Sequence, residues 1–232
     1  MNSTRKTVVL ELLGFLIAGL IIWFLVPKEP TYRGRGLSSW LEEWGKSYDR
    51  TNAAATAIRW LRAHASENGI DPNHIGVWGA SAGGHLVALL GTTGDVRDFD
   101  TGENSGVSSR VQAVCDWCGP TDFTKNPEAD TPDSPIVRLL GGPIAKNIEK
   151  AQSANPIHYI TKDDPPFLIV HGDKDPVVPL EQSQLLADAL QKAGVHVKLQ
   201  VLPGAGHGGP EFQTQEEREK LFFFFLKNLK GD

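Results

Sequence analysis

The 232-residue chain has a formal net charge of −5, with 40% hydrophobic and 22% charged residues. That length suits one domain plus an appendage, and the composition is that of a folded globular chain rather than a low-complexity one. The acidic balance and the lack of a basic stripe exclude nucleic acid as a partner.

Arg5 and Lys6 precede an apolar run from Val8 to Val26, interrupted only by Glu11. Its length approaches the roughly 20 residues of a bilayer-spanning helix and exceeds the apolar core of about 7–15 residues in a cleaved secretory signal. No small-residue cleavage site follows, and no cysteine for lipidation. The run predicts an N-terminal transmembrane helix, a membrane anchor over residues 1–27, with the remainder of the chain extracytoplasmic. Residues 28–50 read as a polar connector and 51–232 as the folded domain.

Within that domain, Thr51–Asn68 has helical spacing, with Ala54, Ile58, Leu61 and Ala65 on one face. A turn at Gly69–Asn73 leads to a strand at His74–Trp78 and a helix at Ala82–Leu90. A second strand is expected at Arg110–Cys115, then a loop-rich stretch over 119–165 with short helical pieces near Pro135–Leu140 and Ile148–Gln152. A short apolar strand follows at Phe167–Val170, then a helix at Leu180–Ala193 closed by Gly194. Val195–Leu202 alternates apolar and polar residues, which predicts an edge strand with one wet face. Residues 214–229 form the last helix. Strands alternating with helices imply crossovers and a mostly parallel sheet of about four strands, an α/β fold with flanking helices.

Gly79-Ala80-Ser81-Ala82-Gly83 sits where strand passes into helix, the G-x-S-x-G context of a nucleophile elbow. Small residues are needed because strand and helix nearly touch there. The turn lifts the Ser81 hydroxyl out and leaves the Ala82 N–H aimed at a developing oxyanion. A serine is a weak nucleophile without a base, and the base needs an orienting carboxylate. Both follow in the order serine, acid, histidine: His171-Gly172-Asp173-Lys174-Asp175-Pro176-Val177-Val178-Pro179 after the apolar strand, and Gly204-Ala205-Gly206-His207 after the alternating one.

These motifs resemble those of the α/β-hydrolase fold, and more narrowly its esterase and lipase group, which includes feruloyl- and acetylxylan-esterase-like enzymes and dienelactone-hydrolase relatives. The resemblance implies a carboxylesterase-type serine hydrolase acting on a small ester through an acyl-enzyme, without metal or cofactor. It places the nucleophile on Ser81, the base on His207, the acid on Asp175 and one oxyanion donor on Ala82. Asp173 is the competing acid, but its place in the turn suits bracing. His85, four residues beyond Ser81, should point away from the hydroxyl, and His171 reads as a packing residue. Asp116 and Asp122 read as turn formers, and Trp117 as pocket lining or core filler.

Two features stand apart. Cys115 and Cys118 form a C-x-x-C, but residues three apart on a strand lie about 10 Å apart, too far for a disulfide; they read as buried free thiols. The family also has strands before the elbow strand and an H-G-G-type loop that completes the oxyanion hole. No His-Gly-Gly precedes Ser81, so the domain reads as the C-terminal part of the fold, with the elbow strand at an edge. Losing one oxyanion donor costs roughly 10²–10³ in rate. A catalytically impaired remnant or fusion serving as a non-enzymatic module is therefore an alternative reading, and a prolyl-oligopeptidase-like serine peptidase is another. Neither the substrate-binding residues nor the oligomeric state can be read from the motifs.

Overall fold

The computed structural model describes residues 6–15, 17–23, 31–32, 35–36, 50–99, 102–126 and 130–230. Strands β1 (Lys6–Phe15), β2 (Ile17–Trp23), β5 (Ile70–Ala80), β6 (Ala113–Trp117), β7 (Phe167–Gly172) and β8 (Val197–Leu202) form one sheet. Its order is β2-β1-β5-β6-β7-β8, and a separate antiparallel pair joins β3 (Thr31–Tyr32) to β4 (Arg35–Gly36). From β1 to β8 each strand runs parallel to its neighbour, and β2 is antiparallel to β1. The α/β architecture with its parallel β5–β8 set is thus as the sequence predicts.

The helix expected at the N-terminus is corrected. The described part of the apolar run forms two strands rather than a helix, in register from Val9 opposite Trp23 to Phe15 opposite Ile17. A long apolar run is equally the signature of a strand buried within a sheet. The competing influence here is the open side of β5, whose backbone groups β1 satisfies from Lys6 opposite Ile70 to Leu13 opposite Ala80. The elbow strand is therefore interior, flanked by β1 and β6. Among the described residues no helix is long and apolar enough to cross a membrane. The connector expected over 28–50 falls largely outside the described residues.

Helices cover both faces. On one side α1 (Arg50–Ala63), α2 (Ala65–Asn68), α3 (Ala82–Thr92) and α6 (Leu180–Ala193) enclose a core containing Ile58, Leu61, Ile75, Val77, Leu90 and Leu186. The face predicted for α1 is the buried one: Ile58 and Leu61 are fully enclosed. Each such side chain contributes about 1.5–3 kcal/mol. The predicted helix over 51–68 is interrupted at His64, whose ring stacks on Trp60. On the opposite side Phe225 of α7 (Gln215–Asn228) and Leu229 just beyond it lie against Gly76. The run Phe222–Phe225 divides as its helical spacing requires: Phe225 is buried, while Phe222 and Phe223 stay exposed.

The segment between β6 and β7 carries α4 (Pro135–Leu140) and α5 (Ile148–Ser153), folded around Phe123, Leu140, Ile144 and Ala151. The strand β8 is an edge as predicted, but its faces are not cleanly divided: Val201 of the apolar set is 38% exposed, whereas Gln200 of the polar set bonds Glu217 of α7 at 2.6 Å and Leu202 is buried.

Two positions hold the junction of β5 and α3. A Cβ on Gly79 would fall inside the backbone of Gly83, so strand and helix touch main chain to main chain. Behind them lies Asp116, 1% exposed, whose Oδ1 accepts the Gly119 N–H at 2.9 Å. Burial raises its carboxyl to about 6, against the lowering effect of that N–H.

Two outcomes follow. Gly79→Ala forces backbone apart rather than a flexible side chain, and should destabilise by about 3 kcal/mol or more, read from denaturant midpoints. Because the folded-state pKa of Asp116 is raised, the folded protein holds a proton that the unfolded chain has released. Stability should therefore fall as pH climbs from about 4 to about 6, by on the order of 2–3 kcal/mol. Asp116→Asn should flatten that part of the stability–pH curve, measured by urea melts across the range.

Candidate active site

Ser81 stands at the apex between β5 and α3, with φ 56° and ψ −120°. A non-glycine residue at positive φ is strained, and it persists here because its surroundings over-determine it. The Ser81 N–H donates to Trp117 O at 2.8 Å, tying the apex to the end of β6. Ala82 opens α3, so its N–H lies in the helix's first turn, where no intrahelical acceptor exists.

Asp175 follows β7. Its Oδ1 accepts the backbone N–H groups of Val177 at 2.8 Å and Val178 at 2.9 Å. Its Oδ2 faces His207 Nδ1 at 2.7 Å, and the aspartate side chain is fully buried. Burial alone would raise this carboxyl; the hydrogen bonds from His171, His207, Val178 and Val177 outweigh it and hold Asp175 well below the usual carboxylate range.

His207 follows β8 in a glycine-rich loop. Its Nε2 lies 2.8 Å from Ser81 Oγ, and its side chain keeps 16% exposure. A Cβ on Gly206 or Gly208 would meet open space, although Gly208 has φ +72° and Gly209 φ +109°. The loops that carry Asp175 and His207 are stitched together. Lys174 N donates to Ala205 O at 2.9 Å, and Gly204 N to Asp173 Oδ1 at 2.6 Å. A Cβ on Gly172 would collide with the Ala205 backbone. Three residues far apart in sequence thus form one chain of hydrogen bonds, Ser81–His207–Asp175.

The bracing role read for Asp173 fits its bond to Gly204. His85 is turned away as expected: its Nδ1 lies 2.8 Å from Pro120 O and its ring packs on Phe123, and burial lowers it to about 4. Asp122 shapes a turn through Thr124 N, and Gln182 Oε1 receives the N–H groups of Thr121 and Asp122. Trp117 is core, edge-on to Trp78 and tilted against Phe212. Cys115 and Cys118 are free and buried.

Two readings undershot. Asp116 does shape the turn through Gly119, yet its Oδ2 is buried without a hydrogen-bond partner. His171, expected only to pack, is fully buried with both ring nitrogens engaged. Its position at the end of a wholly apolar strand was the available signal, since a buried imidazole must satisfy two nitrogens.

The chain is similar to several known proteins. The BD-FAE family matches residues 50–190, from α1 through the elbow and Asp175 into α6. Esterase LipC of Mycobacterium tuberculosis (strain ATCC 25618 / H37Rv) is 36% identical over 160 residues, 66% of this chain and 39% of LipC. This chain therefore spans about two fifths of that relative's length. Among solved structures, a truncated carbohydrate esterase from gut microbiota superposes with a TM-score of 0.72 at 33% identity, over 77% of this chain and 67% of that one. The butyrate-bound esterase Est2 of Thermogutta terrifontis gives 0.62 at 30% identity, over 78% and 66%. His207 lies beyond the family match, and the fold itself brings it to Ser81. By its elbow, its acid loop and the extent of that match, the chain belongs to the BD-FAE family.

Proposed function

We propose that this chain hydrolyses carboxylic esters through Ser81, His207 and Asp175. The observation that carries the reading is the continuous line from Ser81 Oγ to His207 Nε2 at 2.8 Å and from His207 Nδ1 to Asp175 Oδ2 at 2.7 Å. In this reading His207 Nε2 removes the hydroxyl proton as Ser81 Oγ attacks the ester carbonyl carbon. The tetrahedral intermediate places its negative oxygen at the Ala82 N–H. Collapse breaks the bond to the alcohol oxygen, which takes the proton from His207, and leaves an acyl-Ser81. Water, deprotonated by His207, then attacks the acyl carbon, and the acid departs as Ser81 regains its proton.

Asp175 stays ionised throughout. Its depressed affinity for protons suits it to stabilise the transient imidazolium rather than to accept a proton itself. Esterase relatives and the butyrate held by Est2 support a small acyl group. The carbohydrate esterase neighbour supports a sugar-borne alcohol as one class to examine.

A fluorophosphonate probe should label the wild-type protein at Ser81, and short p-nitrophenyl acyl esters should be turned over. Ser81→Ala should abolish labelling and remove turnover to background. Asp175→Asn should keep the fold and lower kcat by roughly 10³–10⁴, because the imidazole loses the partner that fixes its tautomer. Unchanged hydrolysis by Ser81→Ala would overturn the assignment.

A further inference from the structure

Asp175 is approached by a second imidazole. His171 lies at the end of β7, fully buried, with Nε2 2.8 Å from Val178 O and 3.3 Å from Asp175 Oδ2. Its Nδ1 is 2.7 Å from Ser183 Oγ on α6, and Ser183 is fully buried as well. The tautomer follows from the partners. A carbonyl oxygen can only accept, so Nε2 carries the hydrogen that points at Val178 O, and in the neutral ring Nδ1 is then the acceptor for the Ser183 hydroxyl. The same Nε2 lies 3.3 Å from Asp175 Oδ2, the oxygen that faces His207, within ion-pair distance.

We propose that His171 is a positioning residue for the acid: with Ser183 fixing its tautomer, it holds the same Asp175 oxygen that faces His207. The inference rests on the Ser81–His207–Asp175 reading given above. Geometrically, the clamp completes the carboxylate. Val177 and Val178 hold one oxygen through main-chain N–H groups, and His207 and His171 hold the other. Three hydrogen bonds and the His171 contact thus engage both carboxylate oxygens and restrict the rotation of Asp175. Val178 O ties the imidazole to the same short loop that presents Asp175, which fixes ring and carboxylate relative to one another.

The chemical effect is on His207. A carboxylate relieved of one donor becomes a stronger acceptor for the donor that remains. Without His171, Asp175 would hold protonated His207 more strongly, and the base would be unavailable to a higher pH. The titratable groups near the pair belong to several elements: Asp116 and Cys118 at the end of β6, Asp175 on the loop after β7 and His207 on the loop after β8. Asp116 interacts electrostatically with His171, and Cys118 with Asp175. None of these is altered by substitutions at 171 or 183.

The test compares two amides. Glutamine places its side-chain nitrogen where Nε2 of histidine lies and keeps a donor for Asp175. Asparagine reaches only the Nδ1 position and loses that donor. His171→Asn should lower kcat about tenfold or more with KM little changed, and should move the acid limb of kcat/KM to higher pH by about half a unit or more. His171→Gln should keep the limb near its wild-type position. Independently of turnover, the downfield proton NMR signal of His207 Nδ1–H should shift in His171→Asn and not in His171→Gln. Ser183→Ala, which leaves the ring in place but frees its tautomer, should shift limb and signal in the same direction by less. This variant keeps the test open if asparagine at 171 unfolds the protein.

Equal behaviour of the asparagine and glutamine variants, or an unmoved NMR signal in both His171→Asn and Ser183→Ala, would overturn the clamp. A wild-type protein that neither labels with phosphonate nor hydrolyses esters would overturn the proposed function instead. The NMR comparison would still decide the clamp.

Discussion

The structure turns on the contact between main chain and main chain at Gly79 and Gly83. A strand and a helix can approach this closely only without side chains between them, and the approach bends Ser81 into positive φ. Everything else in the site is arranged around that bend. The Ser81 N–H is taken by Trp117 O of β6, and Cys118 N is in turn bonded to Val170 O of β7. The strained apex is thus held by a lateral chain of backbone bonds across the sheet. Strain of this kind costs of the order of 1–3 kcal/mol and needs surroundings that do not yield.

The loops that carry Asp175 and His207 repeat the device at a second contact. Gly172 lets the end of β7 pass against Ala205, and the Lys174–Ala205 and Gly204–Asp173 bonds lock the two loops together. As a result the distance from Asp175 to His207 is set by backbone rather than by the two side chains alone. This explains why Asp173, a near neighbour of the acid, serves the frame: its carboxylate is spent on Gly204 and lies in the turn, while Asp175 points inward to His207.

Much of this was legible in the chain. Ser81, Asp175 and His207 each sit in a short motif whose glycines and flanking strand are local features, and the structure brings the three together. Helix α6, with Gly194 in the left-handed region at φ +85°, was readable because capping is also local. What was hidden depended on partners remote in sequence. The apolar run near the N-terminus carries no local mark distinguishing a helix from strands, and the free side of β5, more than fifty residues on, decides it. The raised carboxyl of Asp116 depends on what closes over it, as Gly84 and Gly119 do. His171 needed Ser183 and Val178 to acquire a direction.

The sheet order has a consequence for how such a molecule fails. His207 is carried by the loop after β8, and among the described residues β8 is bonded to the sheet on one side only, by β7. Ser81 follows β5, which has neighbours on both sides. Edge elements open locally at lower free energy than interior ones. Under mild heat or denaturant His207 would therefore leave first, while Ser81 and its strained turn stay in place. The Ser81–His207 contact would be lost before the sheet as a whole, with the histidine's strand as the detachable part of the frame.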